Sequence, residues 1–496
     1  MQVCSGLGHL ESLRTLVPDA QFFGTEDIGI SGCTCNWRQV RPGDLFVALD
    51  AALHGGYDFV SEIMLRGCAG ILSDRPLPEL NIPTCLVPNA REAFGLICQA
   101  LAGHPSEKLK VIGVTGANGK TTASCLIAGV LAHASHKVGL LSTLGYFDGD
   151  EVEYATQATP PADRLATLLA RMVRNGCSHA VMEVSNQALE QSLVAGVLYD
   201  AACVTNVTRD HLDDNITHKD YRLASSRLFD HLRGEAFVVL NADDPVAAGY
   251  LRQVDGPALT YGINSPAEIM GMPIEQFPSE QTFLITAGSD TVPVRTQMIG
   301  RHHIYNCLLA TAVGLAYGIE LPQIVRTLEA AKHVPGRLQR IECGQPFSVF
   351  VDFAHTPDAL AGCLQALRTV TQGRLICVFG DGGNGDELKR PLMGRTVEEG
   401  ADMAIVTSGN PPGEDPMAII QDLLSGFQHP EHAESISDRR AAIHRALSLA
   451  QIGDCVLIAG KGYETCQIDG DESLSPDDHQ IASDWLYEVQ PYANKG

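Results

Sequence analysis

One run of residues limits what this chain can fold into. Residues 109–134 read LKVIGVTGANGKTTASCLIAGVLAHA, an apolar strand, a turn carrying Gly116 and Gly119, and then a helix. Successive N–H groups of such a turn, at a helix N-terminus, converge on one point and bind phosphate. Lys120 is placed to reach the β- and γ-phosphates of a nucleotide, and the Thr121 hydroxyl to ligate Mg²⁺. Gly116, Asn118, Gly119 and Thr122 complete the cradle. The eight-residue P-loop pattern is not met, because Val114 stands five residues before Gly119. The loop is the shorter TGxxGKT form.

A strand that feeds such a loop belongs to a parallel sheet covered on both faces. Apolar strands at 179–185, 200–207 and 236–244 alternate with helical stretches, and a helix over 302–318 closes that unit. Upstream, strands at 44–49, 69–73 and 84–88 alternate with helices at 58–67 and 91–103, ending at the breaker His104-Pro105-Ser106. Downstream, strands at 347–353, 374–380, 403–409 and 454–460 repeat the pattern. The 496 residues therefore divide into about three α/β domains.

Composition narrows the partners. The formal charge is 35 − 59 = −24, which repels phosphate backbones and anionic membranes. An anionic substrate would need a local cluster of N–H groups, Lys and Arg. The 15 cysteines are odd in number, without CxxC pairs, and many sit in apolar runs as small core residues. They fit a reducing compartment. No basic start followed by an apolar stretch marks a signal peptide, and no apolar run approaches the ~20 residues of a membrane span. A cytoplasmic protein is expected.

Two further groups face the crevice at the carboxyl ends of the strands. Glu183 ends the strand 179–185, where a magnesium ligand belongs beside a phosphate loop. His211, with Asp210 and Asp213, lies just past the next strand end in TNVTRDHLD (205–213).

The motifs GANGKTT, MEVS, TNVTRDHLD, IGRHHIYN, VPGRLQRI, VDFAHTPDAL, KRPLMG, NPPGEDP and GKGYETCQ stand in the order and spacing of the Mur ligase family. RPGDLFVAL near the N-terminus resembles the uridine-nucleotide domain of its MurE type. The likeness runs from about Val40 to Gln467. It implies three α/β domains: an N-terminal UDP-substrate-binding domain (1–107), a central P-loop ATPase domain with a mostly parallel sheet (108–333), and a C-terminal Rossmann-like amino-acid-binding domain (334–496). It also implies an activity. ATP cleavage would be coupled to adding an amino acid to UDP-MurNAc-L-Ala-D-Glu, through an acyl phosphate, in peptidoglycan synthesis. ATP and Mg²⁺ are the implied cofactors. UDP-MurNAc-dipeptide and a free amino acid are the implied partners of a cytoplasmic monomer that binds neither nucleic acid nor membrane.

Residue by residue, the resemblance gives Lys120, Arg337 and His211 catalytic roles, and Thr121, Glu183 and His211 the metal. Asn306 would hold adenine and Asp352 the ribose, although Asp352 also suits a turn cap and Arg337 a hinge ion pair. Arg337 and Lys389 would lie near phosphates or the incoming carboxylate. Arg38, Thr159, Ser185, Lys389, Asn410 and Glu464 fall at substrate-binding positions.

Several functional positions depart from the family pattern. Asn36-Trp37-Arg38 replaces Asp-Ser-Arg, Ala158-Thr159-Pro160 replaces Thr-Thr-Pro, and Ser185-Asn186-Gln187-Ala188 replaces Ser-Ser-His-Gly. Gly380 to Asp386 replaces GCGGDRD, Gly409-Asn410-Pro411-Pro412 replaces DNPR, and Tyr463 replaces the histidine of GKGHE. Ser225 stands where the family carries a carbamylated lysine. Pro412 lacks the arginine that reads diaminopimelate, and Glu414 and Asp415 would favour a cationic amino acid such as lysine. Arg390 reaching in from elsewhere is the other possibility. The alternative to the ligase is a diverged paralogue with another acceptor or a non-catalytic nucleotide-binding role.

Overall fold

Eleven strands build the central sheet of the computed structural model, which describes residues 3–4, 10–49, 59–207, 224–383, 386–409, 411, 413–464, 466–467, 474–475 and 477–489. The phosphate-loop strand Lys110–Thr115 lies between His179–Glu183 and Tyr199–Val204, parallel to both. Val138–Ser142 continues the parallel run on one side. Leu232–Asn241, Ala258–Gly262 and Ile269–Gln276 continue it on the other.

The strand KVIGVT is buried from Val111 to Thr115 because helices cover both faces. On one face Ile112 and Val114 pack with Leu126 and Ile127 of helix Lys120–His133 and with Leu308 of helix Arg301–Ala316. On the other, Val111 packs with Leu165, Leu168 and Leu169 of helix Ala162–Arg174. The expected helix over 302–318 forms as Arg301–Ala316 and stops before Gly318, whose φ is +77°.

Strand–helix alternation did not lead us to expect the far edge of this sheet. Ile269–Gln276, Gln281–Ala287 and Asp290–Thr296 form an antiparallel meander. Phe283, Ile285 and Val294 point inward and extend the same core that covers the phosphate-loop helix.

Two six-stranded sheets flank the central one. The N-terminal sheet has the order Val3–Cys4, Gly32–Thr34, Asp44–Val47, Gly70–Ser73, Thr84–Leu86, Gln21–Phe23, parallel in the middle and antiparallel at each edge. The C-terminal sheet runs Gln339–Ile341, Ser348–Asp352, Cys455–Ala459, Leu375–Phe379, Met403–Val406, Ala433–Ser435, with only its first pair antiparallel. Helices Pro357–Arg368, Lys389–Gly400 and Pro416–Leu424 cover one face of it. Arg439–Leu449 and Asp478–Val489 cover the other. The chain is thus a three-domain α/β protein. No helix among the described residues is long and apolar enough to cross a membrane.

Candidate functional site

The phosphate loop is clasped by the end of its neighbouring strand. The Ala117 N–H donates to the Asn206 carbonyl at 2.9 Å, and the Asn118 N–H to Asn206 Oδ1 at 3.0 Å. Asn206 Nδ2 returns a bond to the Asn118 carbonyl at 2.9 Å. Such closeness requires glycine at 116, where φ is +127° and a Cβ would stand 2.2 Å from Thr205 Oγ1. Gly119 has φ +85° and faces Asn306, whose Oδ1 would lie 2.5 Å from an added Cβ. Lys120 opens the helix, and its ammonium donates to the carbonyls of Gly116 and Ala117 at 2.8 and 2.7 Å.

Behind the loop sits a compact polar knot. Glu183 is 1% exposed. It accepts from the Thr121 hydroxyl (3.1 Å) and from the Thr143 N–H (3.0 Å). Burial pushes its carboxyl above the ordinary 4.5, against the pull of Arg337, Lys120 and these two hydrogen bonds. Thr121 Oγ1 lies 3.1 Å from Thr143 Oγ1 and accepts from Arg337 Nη2 at 2.9 Å. This all-oxygen donor set of hydroxyls and one carboxylate suits Mg²⁺, which keeps several waters and takes few protein ligands. Thr159 supports the knot from behind: its hydroxyl donates to the Glu183 carbonyl at 2.9 Å and accepts from the Ser185 N–H at 3.0 Å. Ser185 Oγ caps the short helix Asn186–Glu190 by accepting from the Ala188 N–H.

These groups line one cavity of about 760 Å³ between the central and C-terminal domains. Gly116, Asn118, Gly119, Lys120, Thr121, Thr122, Glu183, Ser185, Asn306, Arg337 and Asp352 all reach it. Asp352 uses both carboxylate oxygens to accept backbone N–H groups, from Leu338 (2.6 Å) and Ala354 (2.7 Å). It therefore shapes the turn that carries Arg337. His303, 1% exposed on the cavity wall, has neither ring nitrogen hydrogen-bonded to any of the described residues, and burial holds it well below 6.5.

Other predicted residues stand apart from the cavity. Arg38 lies in the N-terminal domain with its guanidinium 4.6 Å from the Trp37 ring centroid. Lys389 pairs with Asp381 at 2.8 Å, and Glu464 is exposed at the end of the Lys461–Glu464 turn. Arg390, 2% exposed, is saturated by Asp381 (3.0 Å), Glu414 (2.7 Å) and Asp422 (2.9 Å). Its guanidinium is committed to those three carboxylates, and Asp415 caps helix Pro416–Leu424. Ser225 is fully buried and donates to Asn186 Oδ1 at 2.9 Å. His211, Asn410 and Pro412 lie outside the described residues.

Sequence reasoning missed Thr143 and Asn206. Each follows the end of a parallel strand bordering the crevice, so strand-end position alone would have flagged both.

Two family models match: the Mur ligase middle domain over residues 114–314, and the Mur ligase glutamate ligase domain over 336–462. The UDP-N-acetylmuramoyl-L-alanyl-D-glutamate–2,6-diaminopimelate ligase of Geobacillus thermodenitrificans is 40% identical, over 90% of this chain and 92% of its own. The Bacillus cereus protein of the same name is 36% identical over 96% and 98%. A solved structure titled with that enzyme name superposes with TM-score 0.68 at 28% identity, covering 97% of this chain and all of its own. MurF ligase from Thermotoga maritima in complex with ADP shares the fold, with TM-score 0.60 at 16% identity, covering 92% of this chain and 96% of its own.

Proposed function

Since this chain belongs to the Mur ligase family, we propose that it is the ATP-dependent ligase that adds an amino acid to UDP-MurNAc-L-Ala-D-Glu in peptidoglycan synthesis. The carrying observation is the convergence of the phosphate loop, Glu183, Arg337 and Asn306 on one cavity. A carboxylate of the dipeptide's D-Glu attacks the γ-phosphorus of ATP, the bond to ADP breaks, and an acyl phosphate forms. The amine of the incoming amino acid then displaces inorganic phosphate and gives up a proton.

Such transfers depend on positioning and charge neutralisation. The loop N–H groups not engaged by Asn206, from Gly119 into the first turn of the helix, seat the phosphates. Lys120 leaves the Gly116 and Ala117 carbonyls to meet the transferring phosphoryl group. Arg337 brings a second cation from the C-terminal domain, and Asn306 bounds the adenine end. Thr121 and Glu183 would hold Mg²⁺, with His211 assigned to it from the sequence alone; the ion supplies further neutralisation of phosphate charge. Arg38, Thr159 and Ser185 belong to the acceptor side, and Lys389, Asn410 and Glu464 to the amino-acid side. Three domains divided at 107/108 and 333/334 carry the reaction, a division supported by the three large sheets, of six, eleven and six strands. The enzyme works as a cytoplasmic monomer.

The named relatives use diaminopimelate. Here Pro412 supplies no donor at the family's arginine position, and Arg390 is bound by three carboxylates. The amino acid is therefore selected by something other than an Arg–carboxylate fork, and Glu414 and Asp415, engaged by Arg390 and by a helix N-terminus, leave no free charge that would single out lysine. ADP release from purified protein with UDP-MurNAc-dipeptide and a panel of amino acids tests both statements. Faster turnover with diaminopimelate than with lysine refutes the selectivity; tight ATP binding without turnover for any amino acid refutes the ligase.

A further inference from the structure

Arg337, Phe353 and Tyr463 form a stack on the C-terminal domain. The Arg337 guanidinium carbon lies 4.7 Å from the Phe353 ring centroid, and the Phe353 and Tyr463 centroids are 5.7 Å apart at 31°. The backbone beneath them is tightly packed: a Cβ on Gly336 would come within 2.8 Å of the Tyr463 nitrogen. The turn bearing Tyr463 and the turn bearing Arg337 therefore move together.

Both polar ends of this stack cross into the central domain. Arg337 Nη2 donates to Thr121 Oγ1, and the Tyr463 hydroxyl donates to the Thr143 carbonyl at 2.8 Å. Thr143 is thus held from two sides, because its N–H donates to Glu183 Oε1 at 3.0 Å. Burial pushes the Tyr463 phenol up to about 12, so it remains a donor throughout the neutral range.

We propose that Tyr463 is a positioning residue for the ligase reaction: its hydroxyl fixes the Thr143 peptide when the C-terminal domain docks, and through Thr143 it holds Glu183 in register with Thr121. The proposal rests on the ligase reading of this site. It gives the Arg337–Phe353–Tyr463 stack two simultaneous tasks. Arg337 delivers charge to the loop, and Tyr463 sets the carboxylate that faces the same hydroxyl.

Tyr463→Phe keeps the ring stack and removes only the hydroxyl. We expect kcat to fall about 3- to 10-fold, the rate equivalent of one neutral hydrogen bond, with the KM for ATP unchanged. The magnesium concentration giving half-maximal rate should rise by a similar factor. Independently of turnover, Mn²⁺ affinity of the ADP complex, read by water-proton relaxation, should weaken while the melting temperature stays unchanged. Unaltered kcat and unaltered Mn²⁺ affinity overturn the proposal. So does a kcat loss matched by loss of ATP affinity and a lowered melting temperature, which would mark general loosening. Should the unmodified protein release no ADP with any amino acid, the ligase reading fails instead, and the Mn²⁺ measurement alone decides whether Tyr463 sets Glu183.

Discussion

Replacing Gly116 by alanine should unmake the phosphate loop. At φ +127° an L-residue sits in a region close to glycine-only, at a cost of about 1–3 kcal/mol. The new methyl would also lie 2.2 Å from Thr205 Oγ1 and 2.6 Å from the Asn206 carbonyl. Neither neighbour can yield freely. Thr205 Oγ1 donates to the Thr115 carbonyl, and the Asn206 carbonyl accepts from Ala117. Displacing them loses about 1–2 kcal/mol of hydrogen bonding, for a total of about 2–5 kcal/mol. In a domain of roughly 200 residues each kcal/mol lowers the melting temperature by about 2–4 °C, so a fall of at least about 4 °C is expected. ATP affinity, read by titration with a fluorescent analogue, should fall at least tenfold, because the N–H groups no longer converge. Gly129→Ala on the helix that follows is the control. Among the described residues a Cβ there meets only Thr327 Cγ2, at an ordinary 3.7 Å. Removing glycine from a helix interior should raise stability by about 0.5–1 kcal/mol. If Gly116→Ala melts and binds ATP like the unmodified protein, the loop does not need glycine at 116.

Lys120→Ala should abolish ADP release while lowering the melting temperature only slightly, because the ammonium ties two loop carbonyls but fills no core; retained turnover in a folded variant refutes the loop's role. Glu183→Gln should also abolish turnover, yet melt higher than the unmodified protein at pH 7.5 in magnesium-free buffer. Burial raises this carboxyl above its unfolded 4.5, so the folded form binds the proton more tightly and stability falls as pH rises through that window. The advantage of the amide should therefore shrink towards pH 5, and a lower melting temperature at pH 7.5 would refute the sign. His179 moves the other way: burial, helped by His136, lowers it from 6.5 to about 4. The unfolded chain takes the proton first, so stability is lost as pH falls from 6.5 towards 4, and His179→Gln should flatten that slope in a pH series of thermal melts.

The loop and its strand were legible because their signals are local. Glycines at 116 and 119, an apolar run before them and GKTT after them need no distant partner to be read. Glu183 was legible by position, at a strand's carboxyl end. Its partners were not. Thr143 comes from a different crossover, and nothing near it in sequence says that its strand lies beside 179–183. The antiparallel meander was overlooked, although the inward alternation of Phe283 and Ile285 is visible in TFLIT. The sequence suggested Asp352 both as a ribose ligand and as a turn cap, and the structure shows the cap. Glu414 and Asp415 read as free negative charge, but the fold spends them on Arg390 and on a helix N-terminus.

The clasp between Asn118 and Asn206 spans 88 residues of chain. It therefore sets an order of events during synthesis. The phosphate loop leaves the ribosome first, but the residue that gives it shape is made much later, about 4–18 s afterwards at elongation rates of about 5–20 residues per second. Until His179–Glu183 is made both sides of strand Lys110–Thr115 are without their neighbours, and until Tyr199–Val204 is made one side still is. For that interval the nascent chain exposes the apolar run VIGV with open edges, the kind of surface that favours aggregation. Nucleotide cannot assist this stage, because its cradle forms only when the clasp closes.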